Sequence, residues 1–211
     1  MKSHSSPSDK IYLAIMAILG WFALVAQFYI NINSGIAESS ELMIRFFSYF
    51  TITTNFIVAS CCTLLLIKPF HKFFSKHSTL TAISVYILVV AIIHNFFLRS
   101  LWKPEGLQQI VDEILHSVIP ALFLFYWILF VQKNKLSWTV ILPWLIYPLI
   151  YLIFVLVRGT FSGFYPYPFL NADELGFRKV LINSAGITLL FIAVSILFVA
   201  VGNRNRGFLH D

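Results

Sequence analysis

Charged side chains are scarce in this sequence of 211 residues, of which Asp, Glu, Lys and Arg make up only 11%. A soluble globular domain carries roughly a quarter charged residues, so this composition excludes a chain whose whole surface faces water. Hydrophobic residues make up 59% of the sequence, and the mean hydropathy is +0.83. Lipid admits only helices or closed barrels, because every backbone polar group needs a partner there. Unbroken apolar runs of about 20 residues fit helices that cross a bilayer, so we predict an all-α, polytopic integral membrane bundle of six transmembrane helices.

Cysteine is nearly absent as well: the two that occur, Cys61 and Cys62, are adjacent and lie inside an apolar run. Neighbouring cysteines are poorly placed to bridge each other, and no cysteine–histidine spacing typical of zinc sites occurs. We therefore expect packing roles for both thiols, no metal and no organic cofactor. The formal charge of +6 does not indicate a nucleic-acid partner, because no basic soluble domain is present to carry it; the expected partners are membrane lipids.

Internal repeats, a soluble domain and low-complexity tails are also missing, so the whole chain, 1–211, is predicted to be a single transmembrane domain. The missing repeat argues against the inverted-repeat architecture of many transporters. The first apolar run is long for the core of a signal peptide and no convincing cleavage site follows it, so we predict a retained helix. The predicted spans are 11–31, 42–67, 78–98, 111–131, 138–157 and 180–201.

Basic residues are unevenly distributed between the two sides that these spans define. Nine Lys and Arg residues fall on the side of both termini and six on the other side, whereas seven of the nine acidic residues fall on that other side. The cytoplasmic loops of membrane proteins carry the excess of Lys and Arg. We therefore expect a multi-pass protein of the bacterial inner membrane with both termini in the cytoplasm.

Polar residues within the spans gather near the outer ends of the second, third and fourth spans. Ionisable groups inside a membrane are costly and are functional candidates by default. Ser48, Thr51 and Asn55 are spaced by three and four residues, which predicts that they share one helix face. The polar residues at this level are Arg45, Ser48, Thr51 and Asn55 of the second span, His94, Asn95 and Arg99 of the third, and Asp112, Glu113 and His116 of the fourth.

Each of these side chains also has a purely structural interpretation. A membrane threonine often bonds to its own backbone, asparagine often joins neighbouring helices, and Asp112 and Glu113 lie close enough to the headgroups to be solvated. Their combination favours a catalytic role. A hydroxyl nucleophile needs a neighbouring base such as histidine, and amide or guanidinium donors can stabilise an oxyanion. His116 is the hardest to explain structurally, since it lies more than a turn inside an apolar helix.

An aromatic, proline-containing loop follows the fifth span, with the sequence RGTFSGFYPYPFL from Arg158 to Leu170. Its rings, Tyr165, Tyr167 and Phe169, are typical of an aromatic belt at the membrane interface. The functional alternative is a lid or rim that shapes the entrance for an amphipathic lipid substrate.

The segment FSYFTITTN in the second span, His116 with Pro120 in the fourth, and YPYPFL after the fifth resemble the bacterial six-span Pr-six-Pr family. More distantly, they are similar to the eukaryotic androgen-induced and androgen-dependent TFPI-regulating proteins, which are threonine hydrolases that cleave fatty acid esters of hydroxy fatty acids. That resemblance implies Thr51, which follows Tyr49 and Phe50, as the nucleophile. It implies His116, ahead of Pro120, as the base.

We therefore predict a membrane-embedded, cofactor-free hydrolase of lipid esters with Thr51 and His116 as its catalytic residues. Thr53 and Thr54 stay open as alternative nucleophiles, because the residues after Thr51 differ from the acidic segment of the hydrolase family. The other predicted roles are support of the site or of an oxyanion by Asn55, Ser48, Thr54, His94 and Asn95, and binding of a substrate carboxylate by Arg45, Arg99 and Arg158. Two alternatives remain: a proton-coupled small-solute transporter, although the inner halves of the spans lack the polar groups of a conducting path, and a non-catalytic lipid-binding protein.

Overall fold

The structure of the protein, a computed structural model, describes residues 6–101, 103–131 and 136–204. Within these residues all regular structure is helical, and six helices are long and apolar enough to cross a membrane. The six are Pro7–Ile32, Phe50–Ile67, His77–Leu98, Gly106–Phe130, Trp138–Ser162 and Phe177–Asn203. The predicted fold class is confirmed, and each of these helices overlaps the span predicted for it.

The chain forms two compact units, Met1–Asn134 and Lys135–Asp211. The first contains α1 (Pro7–Ile32), α2 (Ser39–Phe47), α3 (Phe50–Ile67), α4 (His77–Ile93), the π-helical turn π1 (His94–Leu98), α5 (Gly106–Glu113), the π-helical turn π2 (Ile114–Val118) and α6 (Ile119–Phe130). The second contains α7 (Ile141–Trp144), α8 (Ile146–Ser162), α9 (Ala172–Leu175) and α10 (Phe177–Arg204), with 3₁₀ turns before α7 and α9. The expectation of a single transmembrane domain over 1–211 stays a prediction.

Small residues let α1 and α3 pack closely in the first unit. A Cβ atom added at Gly20 would lie only 3.1 Å from the Cβ of Ala59, and Ala17 and Ala23, one turn before and after Gly20, are buried. Small side chains are common where membrane helices approach each other, because they let the two backbones come together. This contact fixes α3, the helix that carries Thr51, against the long first helix.

The second predicted span, 42–67, is interrupted, and this corrects its expected start. Ser48 ends α2, and Tyr49 has an extended backbone (φ −84°, ψ 127°) ahead of α3. The Ser48 hydroxyl donates to the carbonyl oxygen of Ile44 at 2.7 Å, a local bond of the kind by which serine competes with continued helix. The predicted helix face is therefore wrong at Ser48, which lies outside the helix that carries Thr51.

The turn π2 leaves two backbone carbonyls without their usual donors. The N–H of Ile119 donates to the carbonyl of Ile114, five residues back instead of four. Leu115 therefore loses the donor that an α-helix would give it. Pro120 has no N–H for the carbonyl of His116, which lies four residues before it. Two adjacent carbonyls in the interior of the bundle are thus available to donors from neighbouring helices.

Proline and glycine also shape the second unit. The break between α7 and α8 follows from Pro148, which has no N–H for the carbonyl of Trp144 at the end of α7. Gly163 ends α8 with φ at 65°, a left-handed conformation that glycine adopts without steric cost. Residues 158–162, which were predicted as the start of the aromatic loop, are therefore the last part of α8, and the loop itself, 164–170, leads through α9 to α10.

Candidate active site

The hydroxyl of Thr51 faces the imidazole of His116, although 65 residues separate them in the chain. Thr51 Oγ1 lies 3.2 Å from His116 Nε2. Thr51 is in the first turn of α3 and His116 is in π2. Both are screened from solvent, with exposed fractions of 8% for Thr51 and 14% for the His116 side chain. The N-terminus of a helix carries a partial positive charge, which favours negative charge on the Thr51 oxygen.

The second ring nitrogen of His116 is held by Asp112, one helical turn earlier. His116 Nδ1 lies 2.9 Å from the backbone carbonyl oxygen of Asp112 and 3.2 Å from its carboxylate Oδ1. A carbonyl oxygen only accepts hydrogen bonds, so Nδ1 carries the proton of the neutral ring. The lone pair of Nε2 then faces the Thr51 hydroxyl, which is the arrangement that a general base requires.

Asp112 also contacts a second histidine through its other oxygen. His94 Nε2, in π1, lies 3.2 Å from Asp112 Oδ2. The rings of His94 and His116 stack with their centroids 3.6 Å apart and their planes 13° apart. One carboxylate therefore bridges the edges of two stacked imidazoles, and each of the three side chains exposes less than a sixth of its surface. Asp112 was not among the predicted site residues; its spacing of four from His116 was the signal in the sequence.

Two asparagines supply the donors that π2 lacks. Asn55 donates from Nδ2 to the carbonyl oxygen of Leu115 at 3.1 Å, and Asn95 donates from Nδ2 to that of His116 at 3.2 Å. Each amide also donates to the carbonyl four residues before it in its own helix. Both hydrogens of each amide are thus engaged, so an oxyanion role for either would require the exchange of a bond to π2. The evident task of the pair is to hold π2, and with it His116, against α3 and π1.

Three further hydroxyl residues, Ser48, Thr53 and Thr54, lie near Thr51 in the sequence. Ser48 and Thr54 are fully buried, and the Ser48 hydroxyl donates to the end of α2. The Thr53 hydroxyl donates to the carbonyl oxygen of Phe50 at 3.1 Å, a bond within its own helix. The hydroxyl at His116 belongs to Thr51, the first of the three candidate nucleophiles.

The two arginines of the first unit that were predicted to hold a substrate carboxylate are paired with protein carboxylates. Arg45 Nε donates to Oε1 of Glu41 at 2.8 Å. Arg99 pairs through Nη2 with Glu113 and donates from Nη1 to Oδ1 of Asn95 at 2.6 Å. Asn95 in turn donates to the carbonyl oxygen of His116, so it connects the guanidinium of Arg99 to the backbone of π2.

Arg158 belongs to the second unit, where the following loop contacts it. Its Nη1 donates to the carbonyl oxygen of Phe164 at 3.3 Å, and its guanidinium lies 4.8 Å from the centroid of that ring. A cation over an aromatic face is a favourable electrostatic contact. Carboxylate binding by Arg158 stays a prediction.

The aromatic loop packs against its own unit. The ring of Tyr165 lies against Gly159 of α8, where any Cβ would overlap it. Tyr167 and Phe169 stack at 5.1 Å with nearly parallel planes, and Asn183 of α10 donates to the carbonyl oxygen of Phe169 at 2.9 Å. These contacts give the loop a fixed conformation on α8 and α10. The predicted role of the three rings as lid or rim stays a prediction.

His94, Asp112 and His116 together also form a set of potential metal ligands. One donor atom from each lies within 4.8 Å of the others, and imidazole with carboxylate suits first-row transition metals. His116 Nδ1, which lies 3.2 Å from the Asp112 carboxylate, also faces the Asp112 carbonyl oxygen at 2.9 Å. A ring nitrogen that donates to a carbonyl has no lone pair for a metal, so this geometry favours proton transfer.

Comparison of the chain with family models, with curated proteins and with solved structures found no match. The case for a function therefore depends on the chemistry of the site. The strongest part of that case is the row of Thr51, His116 and Asp112, in which each group faces the next at 3.2 Å or less.

Proposed function

We propose that the protein is a membrane-embedded hydrolase of lipid esters with Thr51 as its nucleophile. The observation that carries the proposal is the contact between Thr51 Oγ1 and His116 Nε2, on the ring whose Nδ1 faces Asp112. A threonine hydroxyl is a weak nucleophile until a neighbouring base takes its proton. The same row of hydroxyl, imidazole and carboxylate performs acyl transfer on unrelated folds, where it is recognised by geometry and not by position in the chain.

The acylation half of the reaction follows from this row. As Thr51 Oγ1 attacks the ester carbonyl carbon, its proton passes to His116 Nε2, and the carbonyl oxygen gains the negative charge. Asp112 stabilises the imidazolium that forms, because its carboxylate faces Nδ1. When the tetrahedral intermediate collapses, the bond to the leaving alcohol breaks, and Nε2 gives its proton to the alcohol oxygen. The products of this half are an acyl-threonine and a free alcohol.

The second half uses the same groups with water in place of threonine. His116 Nε2 takes a proton from water as the water oxygen attacks the acyl carbon. Collapse returns the proton to Thr51 Oγ1 and releases the fatty acid. No group other than water is consumed, so the cycle is balanced with His116 as the carrier of one proton in each half.

Two further features support a lipid substrate and a place for it. The side chains around the row belong to helices that are apolar enough to cross a membrane, so an ester carried by an acyl chain reaches this level from the bilayer. The distribution of basic residues supports an orientation with both termini in the cytoplasm of a bacterial cell, and in that orientation the site lies in the outer leaflet. The resemblance to the Pr-six-Pr family and to the threonine hydrolases agrees with this proposal, and we propose membership of the former.

Covalent labelling with a fluorophosphonate probe tests the nucleophile. The purified wild-type protein should label, and labelling should be lost in Thr51→Ala and nearly lost in His116→Ala, because the hydroxyl then lacks its base. Thr53→Ala is the matched control, since it removes a threonine hydroxyl from the same turn that is bonded to its own backbone. It should label like the wild type. Thr51→Ser, which keeps a hydroxyl at this position, should label to a reduced extent.

The other outcomes are equally informative. Loss of labelling in Thr53→Ala or Thr54→Ala with Thr51→Ala intact would move the nucleophile. A folded wild-type protein that neither labels nor cleaves any lipid ester would refute the hydrolase and favour the lipid-binding or transport alternatives. Flux into proteoliposomes separates those two.

A further inference from the structure

The charge pattern beside the candidate site determines which lipid ester fits there. If the site hydrolyses esters, as proposed above, a substrate with a free carboxylate needs an arginine that can accept it. Arg99 is the arginine linked most directly to the reacting row, since it bonds Asn95, which in turn bonds the backbone of His116. Whether Arg99 can bind a substrate carboxylate depends on which groups its guanidinium already contacts.

Glu113 already pairs with Arg99. The pair joins π1 to α5 across 14 residues of sequence, and half of the Arg99 side chain and 38% of the Glu113 side chain are exposed. A planar guanidinium holds a carboxylate best through two parallel N–H groups. In Arg99 both terminal nitrogens are engaged, Nη1 with Asn95 and Nη2 with Glu113. A substrate carboxylate that approached Arg99 would meet a guanidinium whose charge Glu113 already offsets, and it would lie beside the Glu113 carboxylate.

The wider charge around this end of the first unit opposes a second anion. The two segments on the side of the site, 33–50 and 94–118, together carry five carboxylates and three cations. They are Glu38, Glu41, Glu105, Asp112 and Glu113 against Arg45, Arg99 and Lys103. Arg45 is itself paired with a glutamate. Like charges placed together in a partly dry site cost free energy, and a net negative field lowers the local concentration of anions.

We propose that the Glu113–Arg99 pair makes the site selective for lipid esters without a free carboxylate near the ester bond. Glu113 offsets the charge of Arg99 and repels a second carboxylate there, whereas a neutral ester meets no such repulsion. The inference rests on the proposed ester hydrolysis and names Glu113 as the residue that determines the charge of the substrate.

A matched pair of substrates isolates this charge. One is an oleate ester of a hydroxystearic acid with its carboxylate free, and the other is the primary amide of the same molecule, which has the same ester bond and no charge. The full-length protein in nanodiscs should cleave the amide with the higher kcat/KM. In Glu113→Gln the ratio of the two kcat/KM values should shift toward the free acid by about tenfold, mostly through KM.

Two variants distinguish the effect of breaking the Glu113–Arg99 pair from the effect of removing any one negative charge. Glu38→Gln removes the same charge from the start of α2 but leaves the Glu113–Arg99 pair intact, and it should not change the ratio. Adding Arg99→Gln to Glu113→Gln should cancel the gain for the free acid, because the freed guanidinium is then gone.

The possible failures are distinguishable. Wild-type protein that prefers the free acid, in a reaction lost in Thr51→Ala, would overturn the selectivity and leave the hydrolase standing. The same holds if Glu38→Gln and Glu113→Gln shift the ratio equally. If neither substrate is cleaved in a Thr51-dependent reaction, the proposed function itself fails, and the selectivity fails with it.

Discussion

The two nitrogens of His116 have different environments because one aspartate lies one turn before it. Its backbone carbonyl and its carboxylate both face Nδ1, which leaves Nε2 for the threonine. The sequence points to this site because a buried histidine and a hydroxyl at matching depth are conspicuous in apolar helices, and the family resemblance favoured Thr51 over Thr53 and Thr54. Asp112 was expected to be solvated, since its depth alone does not show that two stacked histidines from different helices both contact its carboxylate.

Asp112→Asn is the first test at this scale. The asparagine amide would offer a hydrogen to Nδ1 and would carry no charge to stabilise the imidazolium, so we expect fluorophosphonate labelling to slow by about 10²- to 10⁴-fold. Glu38→Gln makes the same chemical change on a carboxylate at the start of α2, outside the row, and it should label at the wild-type rate. Equal rates for wild type and Asp112→Asn, with unchanged melting temperature, would remove Asp112 from the catalytic row.

Helix irregularities, more than the helices themselves, position the site. The break at Ser48 lets α3 begin with Thr51 in its first turn, and π2 turns His116 toward that turn. Pro120 is visible in the sequence as a source of bending, but a single proline does not reveal whether the turn before it is α or π. Nor does the sequence show that Asn55 and Asn95 both donate to carbonyl oxygens of π2, because that depends on which helices are neighbours.

Pro120→Ala tests whether π2 is needed. The new N–H would donate to the carbonyl of His116 in competition with Asn95, which favours a regular α-helix at this position. We expect a higher melting temperature together with labelling about 10²-fold slower, because Nε2 moves away from Thr51. Pro148→Ala, at the proline-dependent break in the second unit, should leave labelling unchanged. A more stable Pro120→Ala protein of full reactivity would contradict the importance of π2.

Gly159→Ala tests the packing of the aromatic loop. The added methyl group overlaps the ring of Tyr165, so the ring must leave its place on α8, and we expect a loss of about 1–3 kcal/mol in stability. Gly186→Ala, in the middle of α10, adds the same methyl group where no atom lies within 4 Å, and should be neutral or stabilising by up to about 1 kcal/mol. Thermal unfolding of the two variants in one detergent measures the difference; equal melting temperatures would show that the loop does not depend on this contact.

At the scale of the whole molecule, the number and approximate limits of the spans follow from the sequence because the thickness of the bilayer selects apolar runs of fixed length. The helices exceed most of the predicted limits by a few residues, since a helix continues into the interfacial region where hydropathy no longer marks it. The start of the second span was the main error, because the aromatic residues on both sides of Ser48 are as apolar as the interior of a helix.

Reporter fusions test the orientation of the bundle. Alkaline phosphatase, which needs an oxidising compartment for its disulfides, should be active when fused after Lys103 and inactive when fused after Lys72, because these residues lie in loops on opposite sides. The opposite pattern would place both termini outside the cytoplasm and move the candidate site to the inner leaflet. The reactivity of Thr51 would be unaffected by that result.

The π turn before Pro120 has a consequence for the recognition of related proteins. A π turn holds one residue more than an α turn, so it is equivalent to a one-residue insertion that rotates everything after it by about 100°. A chain that lacked this one residue would keep every side chain of the row in its alignment yet present His116 to a different neighbour. The length of the segment from Asp112 to Pro120 is therefore as diagnostic of the proposed activity as the identity of its residues, and a gap there should count against a shared function.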